Sequence, residues 1–344
     1  MRTLKTALVG SGYIAGVKHL PALKNLKGRS ETVAIVDLNE AQARDLAGKF
    51  GVPKVYKDVG EMLRTEKPDV VDICTPPKTH TPIALQCIEG GAHVLIEKPM
   101  CQTEAECDTV MAAAEKAKRK ICVGHSDLFY PSFNKGRELF EKGEIGAFRG
   151  MRIHLSTPVD YITSKPDHWA HKLPGGVFGE SGPHVVYMTL AYISPIRDVQ
   201  IVGRKMLPEY PWSPYEDYRL NLIGDQGTCT ISMIYTTKQW QAEVAVWGTE
   251  GTLHMDLETQ KLLKIKREEL KMVPVALGSL GEVAQTLGSG LETGMDLLTG
   301  RYTQTHQEMM RAFFDAIVND TDSPVPPSQG KESIRVMNMI TAKL

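Results

Sequence analysis

The chain has 344 residues, enough for two cores at roughly 100 to 200 residues per domain, so two domains are expected. Hydrophobic residues at 42% and charged residues at 24% exclude a disordered or membrane-embedded composition. Lys+Arg 40 against Asp+Glu 41 leaves a net charge of −1, so no bulk field recruits nucleic acid or anionic lipid, and a small-molecule partner is expected.

The start, Met1 to Gly10, carries charge and then apolar residues, but Lys5 and the glycines cut the apolar run short, and it reads as a first strand. No stretch approaches the ~20 apolar residues that cross a bilayer. Up to about residue 125, short β-branched runs alternate with helical patterns, as in βαβ units on a parallel sheet. Strands are predicted near Thr6 to Val9, Thr32 to Asp37, Val70 to Cys74, His93 to Ile96 and Lys120 to Gly124, with helices over Ala41 to Phe50, Ile83 to Glu89 and Glu104 to Lys118. The six cysteines contain no C-x-x-C pair, so neither a zinc site nor a disulfide framework is expected. Cys74, Cys87 and Cys122 fall inside apolar patterns, which suits a reducing, cytoplasmic setting.

From Ser126 the pattern changes, and the domains are placed at 1–125 and 126–344. A helix over Pro131 to Lys142 precedes strands at Arg149 to Ser156, Tyr218 to Ile223, Thr228 to Tyr235 and Gln241 to Trp247, with turns at Gly224 to Gly227 and Gly248 to Gly251. These imply a large open, mainly antiparallel sheet. Helices near Pro183 to Ile193 and Thr305 to Val318 are expected to cover one face, leaving the other for a subunit partner in a homodimer or homotetramer. Lys266 to Arg301 reads as an irregular excursion: an interface arm, a lid, or a solvent loop with one short helix.

Gly10-Ser11-Gly12-Tyr13-Ile14-Ala15 follows an apolar strand and opens a helical pattern, the context a dinucleotide fingerprint requires. Gly10 permits the tight turn, Gly12 lets backbone approach a pyrophosphate, and Ala15 is small enough for helix–strand packing. Asp37 ends the second strand where a carboxylate accepts the ribose hydroxyls of NAD and repels the 2′-phosphate of NADP; the alternative is a capping role before Asn39. Thr75 and Pro76 open an extended turn after the next strand, and His80 either bonds the cofactor or sits in the first turn of the following helix. Glu97 and Lys98 end the His93 strand, where open α/β sheets place their ligands. Lys98 is a candidate acid/base or an ordinary surface lysine, and Glu97 is expected to support backbone or cofactor.

In this order and spacing, Gly10 to Ala15, Asp37, Thr75 to His80 and Glu97-Lys98-Pro99 resemble the glucose-fructose oxidoreductase and inositol dehydrogenase family (Gfo/Idh/MocA). Trp169 and Gly175-Gly-Val-Phe-Gly-Glu-Ser-Gly-Pro-His184 extend the resemblance into the second half. It implies a Rossmann domain, a C-terminal α/β domain with an open sheet, and NAD(P)-linked hydride transfer at a secondary alcohol of a sugar or cyclitol. It also implies Lys98 as acid/base, His184 in support, and Glu180 orienting His184 or binding a substrate hydroxyl. His125 and Trp169 are candidate pocket residues. Glu180 stands where the family has aspartate, one methylene longer, and Leu128 where many members have arginine, so the resemblance leaves the substrate class open. A non-sugar substrate and a non-catalytic dinucleotide-binding sensor are the competing readings. Gly182-Pro183 suggests a helix start, which would put His184 in a first turn whose dipole disfavours the imidazolium.

Overall fold

The computed structural model describes residues 2–267, 269–299 and 304–344. It divides into two compact units, Met1–Ser126 with Thr303–Arg335, and Asp127–Tyr302 with Val336–Leu344.

In the first unit, β1 (Leu4–Val9), β2 (Ser30–Val36), β3 (Lys54–Tyr56), β4 (Val70–Ile73), β5 (His93–Ile96) and β6 (Ile121–Val123) form a parallel sheet in the order β3-β2-β1-β4-β5-β6. Strand order reverses between β1 and β4, and the crevice beyond the carboxyl ends there is where such folds take a ligand. The strands β4 and β6 are buried throughout, as a parallel sheet covered on both faces demands. The crossovers carry α1 (Leu20–Asn25), α2 (Glu40–Phe50), α3 (Val59–Glu66), α4 (His80–Glu89) and α5 (Glu104–Ala117). Local chemistry sets their ends: Asn39 accepts from the Gln42 N–H to start α2, Gly51 at φ 74° stops it, and Thr103 caps α5 by accepting from Glu106 N–H.

The second unit contains α6 (Pro131–Glu141), β7 (Phe148–Ser156), α7 (Val177–Leu190) and β8 (Ile196–Arg204), then β9 (Asp217–Gly224), β10 (Gly227–Ile234), β11 (Gln241–Gly248), β12 (Thr252–Asp256), β13 (Lys261–Ile265) and α8 (Met272–Leu298). Its seven strands run β13-β12-β11-β7-β10-β9-β8, antiparallel except for the β7–β10 pair. Both glycine turns read from the sequence close hairpins, β9–β10 and β11–β12. Tyr218, Leu220 and Leu222 of β9 alternate with polar Arg219 and Asn221, so one face is core. The helix α7 lies on that side, its Phe178 ring against Tyr218 and its Ser181 hydroxyl bonded to Tyr235.

Three expectations are corrected. The helix α9 (Thr305–Val318) forms where expected but belongs to the first unit: it packs on α1, with Arg29 paired to Asp315 and Asn25 bonded to Gln307. It is followed by α10 (Pro327–Thr341), within which the two units divide. The excursion at 266–301 is α8, a 27-residue helix; residues 268, 300 and 301 lie outside the described set. The helix carrying His184 begins at Val177, not at Pro183, because Gly175 at φ 79° and Gly176 at φ 60° make the entry turn. His184 is therefore two turns inside the helix, and Glu180 occupies the first turn instead. No helix among the described residues is long and apolar enough to cross a membrane.

Candidate functional site

The turn after β1 requires glycine at its first position. Gly10 has φ 97°, and a Cβ there would lie 2.8 Å from the Cys74 carbonyl carbon and oxygen, while around Gly12 the Cβ position is open for 4 Å. Ser11 is buried, Ile14 half-buried and Ala15 buried, while Tyr13 is exposed. Asp37 accepts from the Ser11 N–H (2.6 Å), the Ser11 hydroxyl (2.8 Å) and the Asn39 N–H (2.8 Å). Asn39 does the helix capping itself. Asp37 thus stands at the mouth of the glycine turn, the place from which a carboxylate meets an adenosine ribose. A nicotinamide dinucleotide fits this turn: small residues clear the backbone, and the acid ends the second strand.

The loop after β4 is tied to the one after β5. His80, the first residue of α4, is buried with Nε2 2.7 Å from the Thr75 carbonyl oxygen and Nδ1 2.9 Å from that of Pro99. Thr79 donates its hydroxyl to the Pro76 carbonyl (2.8 Å), closing the same turn. Both ring nitrogens of His80 are thereby engaged with backbone.

Beneath Lys98 lies a buried ionic cluster that sequence reasoning missed. His19 Nδ1 is 2.8 Å from Asp72 Oδ2, and its Nε2 is 2.9 Å from Glu97 Oε1. His306 Nε2 lies 3.8 Å from the same Glu97 oxygen, its ring edge-on to His19 at 5.2 Å. Burial opposes charge on His19, yet Asp72 beside it raises the imidazole well above its usual range. Burial likewise opposes ionisation of Glu97, but the His19 hydrogen bond and the nearby positive groups hold it down at about 2. The remaining Glu97 oxygen accepts from the Lys98 N–H at 3.2 Å. Gly124 is needed here, since a Cβ would stand 2.8 Å from Glu97 Oε1. Lys98, half-buried, follows this anchored carboxylate at the end of β5.

No metal was expected, and the structure gathers donors in two sets, His19, Glu97 and His306, and His19, Asp72 and Cys74, each within 4.8 Å. Within these sets His19 hydrogen-bonds both Asp72 and Glu97. The signal for the cluster was Asp72, an acid inside an apolar strand; its partner His19, 53 residues away, carries no local signature.

In the second unit, His184 Nδ1 lies 2.7 Å from Asp127 Oδ2 and 2.7 Å from the Tyr187 hydroxyl, which in turn accepts from the Asp127 N–H at 3.2 Å. His184 and Tyr187 share a face of α7 at a spacing of three. Burial, then the Asp127 charge, pushes the Tyr187 phenol well above its usual range, keeping it protonated. Glu180 lies close enough to His168 to oppose the lowering that burial and His171 impose on that imidazole. Trp169 is exposed, with its ring stacked on His168. His125 and Leu128 are both buried, Leu128 as an ordinary apolar residue. Asp127 was not singled out from the sequence, because nothing in Ser126 to Phe129 marks which side chain meets α7.

A cavity of about 270 Å³, lined by Arg2, Asp69, His93 and Arg119, lies at the amino ends of the first sheet, opposite the crevice, and takes no part in this arrangement.

Residues 4–125 match the family model described as "Oxidoreductase family, NAD-binding Rossmann fold", and residues 133–254 match the "GFO/IDH/MocA C-terminal domain". The chain is 33% identical over 142 residues to 4-carboxy-2-hydroxymuconate-6-semialdehyde dehydrogenase of Sphingobium sp., covering 41% of this chain and 44% of that protein. It is 30% identical over 181 residues to myo-inositol 2-dehydrogenase of Thermotoga maritima, covering 51% and 50%. These matches span about half the length of either relative. The fold superposes on apo scyllo-inositol dehydrogenase from Lactobacillus casei with a TM-score of 0.77 at 16% identity, covering 100% of this chain and 96% of that one.

Proposed function

The chain belongs to the Gfo/Idh/MocA family of oxidoreductases, and from that premise we propose that it transfers a hydride between NAD and a secondary alcohol or ketone of a sugar, cyclitol or sugar derivative. The observation that carries this reading is the buried His19–Glu97 pair at the base of Lys98, which fixes a lysine at the carboxyl end of β5. When bound, the nicotinamide accepts or supplies the hydride. Lys98 takes the hydroxyl proton in oxidation and returns it in reduction. Gly10 to Ile14 hold the pyrophosphate side, Thr75 and Pro76 shape the nicotinamide side, and His80 and Glu97 support these loops from below. Asp37 binds the adenosine ribose and selects NAD over NADP, its charge repelling a 2′-phosphate.

Within the second unit we assign proton handling to His184, with Asp127 and Tyr187 setting its orientation. With Asp127 on Nδ1, we assign Glu180 to a substrate hydroxyl, alongside His125 and Trp169 as substrate contacts. Glu180 in place of aspartate, together with a relative named for a semialdehyde substrate, favours one second reading: the same chemistry on a non-sugar carbonyl.

A panel of polyols, sugars, their derivatives and semialdehydes, incubated with NAD or NADP and followed by absorbance of the reduced cofactor, tests the proposal. Turnover of a polyol with NAD is the expected result. Tight NAD binding with no turnover of any member would replace it with a dinucleotide-binding sensor.

A further inference from the structure

The helix α8 is oriented the wrong way round for a chain that acts alone. Its more covered positions are Gly278, Glu282, Gln285, Ser289, Thr293, Gly294 and Asp296, a stripe of polar residues and glycine at helical spacing. That stripe is attached to the rest of the second unit. Gln285 accepts from the Lys264 N–H at 2.8 Å and donates to the Lys264 carbonyl at 3.2 Å, occupying the open backbone of edge strand β13. Glu282 pairs with Arg267 at 2.5 Å, and Glu292 pairs with Lys135 of α6 at 3.5 Å.

Every leucine, valine and methionine of α8 is exposed, with Leu280 at 66%, Leu287 at 63% and Leu291 at 71%. An amphipathic helix that packs its polar side inward leaves its apolar side for something else to cover. The outward residues follow a seven-residue repeat: Leu277, Ala284, Leu291 and Leu298 form one row, and Val273, Leu280 and Leu287 form the other. That spacing, 3.5 per turn on average, is the seam by which one helix meets another. Beside it, Gly281 and Gly288 have nothing within 4 Å of their Cβ positions, so a second backbone can approach closely.

We propose that α8 packs against α8 of a second copy of this chain, making its apolar seam the core of a homo-oligomer interface. The area is sufficient: a 27-residue helix is about 40 Å long. Its large apolar side chains, on the order of 100 Å² each, together offer about the 800 Å² per partner of a standard interface. Charge selects the occupant. A helix lying on a membrane carries Lys and Arg on its polar face, whereas α8 has neither and contains Glu282, Glu292 and Asp296. This inference is independent of the reaction proposed above.

Sedimentation of the full chain, wild type against the Leu280→Glu/Leu287→Glu double variant, tests it. The variant is expected at half the mass of the wild type or less, with near-ultraviolet circular dichroism and NAD binding unchanged to show that it is folded. A Leu287→Cys variant, conservative in size, is treated with a short bismaleimide; the six native cysteines are buried, so a covalently linked pair is expected from the introduced thiol alone. Equal masses for wild type and double variant would overturn the proposal. So would no linked pair from Leu287→Cys, or flotation of the wild type with phosphatidylcholine/phosphatidylserine vesicles.

Discussion

His184 Nδ1 is held 2.7 Å from Asp127 Oδ2, so one carboxylate fixes the ring of the histidine proposed above for proton transfer. Asp127→Asn keeps the shape and removes the charge. It is expected to lower kcat on the order of a hundredfold with KM changed only a few fold, since it alters proton handling rather than binding. Steady-state kinetics on the best substrate from the panel check this. A variant with wild-type kcat would leave Asp127 a purely structural partner of α7.

His19 is the keystone of the first unit. It is buried between Asp72 and Glu97, so His19→Ala would remove the imidazole that both carboxylates bond and leave Asp72 buried without that partner. Breaking a buried ion pair by removing one partner costs about 3–5 kcal/mol. Urea unfolding of the variant should show a loss of that size, and a loss under about 1 kcal/mol would mean the cluster is not charged as described.

The same cluster sets an acid limit. Glu97 is held from its ordinary 4.5 down to about 2, so its ionised form stabilises the fold above pH 4.5, and that contribution is lost as pH falls towards 2. Its full size is about 3 kcal/mol. His19, raised above 6.5, behaves oppositely: its contribution is complete below pH 6.5 and is lost as pH rises through the raised value. His93, lowered to about 4 by burial and the charges of Arg119 and Lys120, adds a decline between pH 6.5 and 4 that is unrelated to Glu97. The urea midpoint should therefore be measured for wild type and Glu97→Gln side by side. The wild type should lose more stability than Glu97→Gln between pH 4.5 and 2, the excess being the Glu97 contribution; parallel curves would assign that limb elsewhere.

What the sequence made legible was local. The glycine turn, its acid at the end of β2 and the strand bearing Lys98 each lie within one βα unit, where apolar spacing and turn chemistry decide the structure. The charged cluster was hidden because its members are 53 and 78 residues apart, joined by sheet order rather than by pattern. Pro183 misled for a different reason: proline marks a first turn statistically, yet here Gly175 and Gly176 start the helix earlier and the proline is absorbed inside it. Glycines disguised α8 in the same way. Five of them are spread along it, diluting its apolar pattern, and a helix whose polar face is turned inward lacks the usual outward charge pattern.

Asp37 is expected to decide between the two nicotinamide cofactors. Its carboxylate is already oriented by Ser11 and Asn39, so a ribose would meet it without further ordering. Asp37→Ala removes a charged hydrogen-bond acceptor, typically about 1.5–3 kcal/mol, and should weaken NAD binding roughly tenfold to hundredfold. NADP, relieved of repulsion, should lose less or gain. Fluorescence titration with both cofactors measures the ratio, and an unchanged NAD:NADP preference would assign selectivity to another residue.

Lys98→Met tests the chemistry at its centre. Methionine keeps the length and apolar stem of lysine and removes only the group that carries the proton. Loss of a positioned acid/base typically costs 10²- to 10⁴-fold, so kcat should fall by about that factor. NAD affinity should stay within a few fold, because the residues assigned to the dinucleotide lie in the turns after β1 and β4 and at Asp37. A role confined to structure would predict a different result: stability would fall and NAD binding with it. Two further readouts separate the cases. The pH limb of kcat/KM belonging to the lysine should vanish in the residual activity of Lys98→Met, and in Lys98→Ala, where the side-chain space is opened, a small primary amine added to the assay should restore part of the rate by supplying the missing base. Near-normal kcat in the variant would remove Lys98 from the reaction, while leaving the Rossmann turn and its cofactor unaffected.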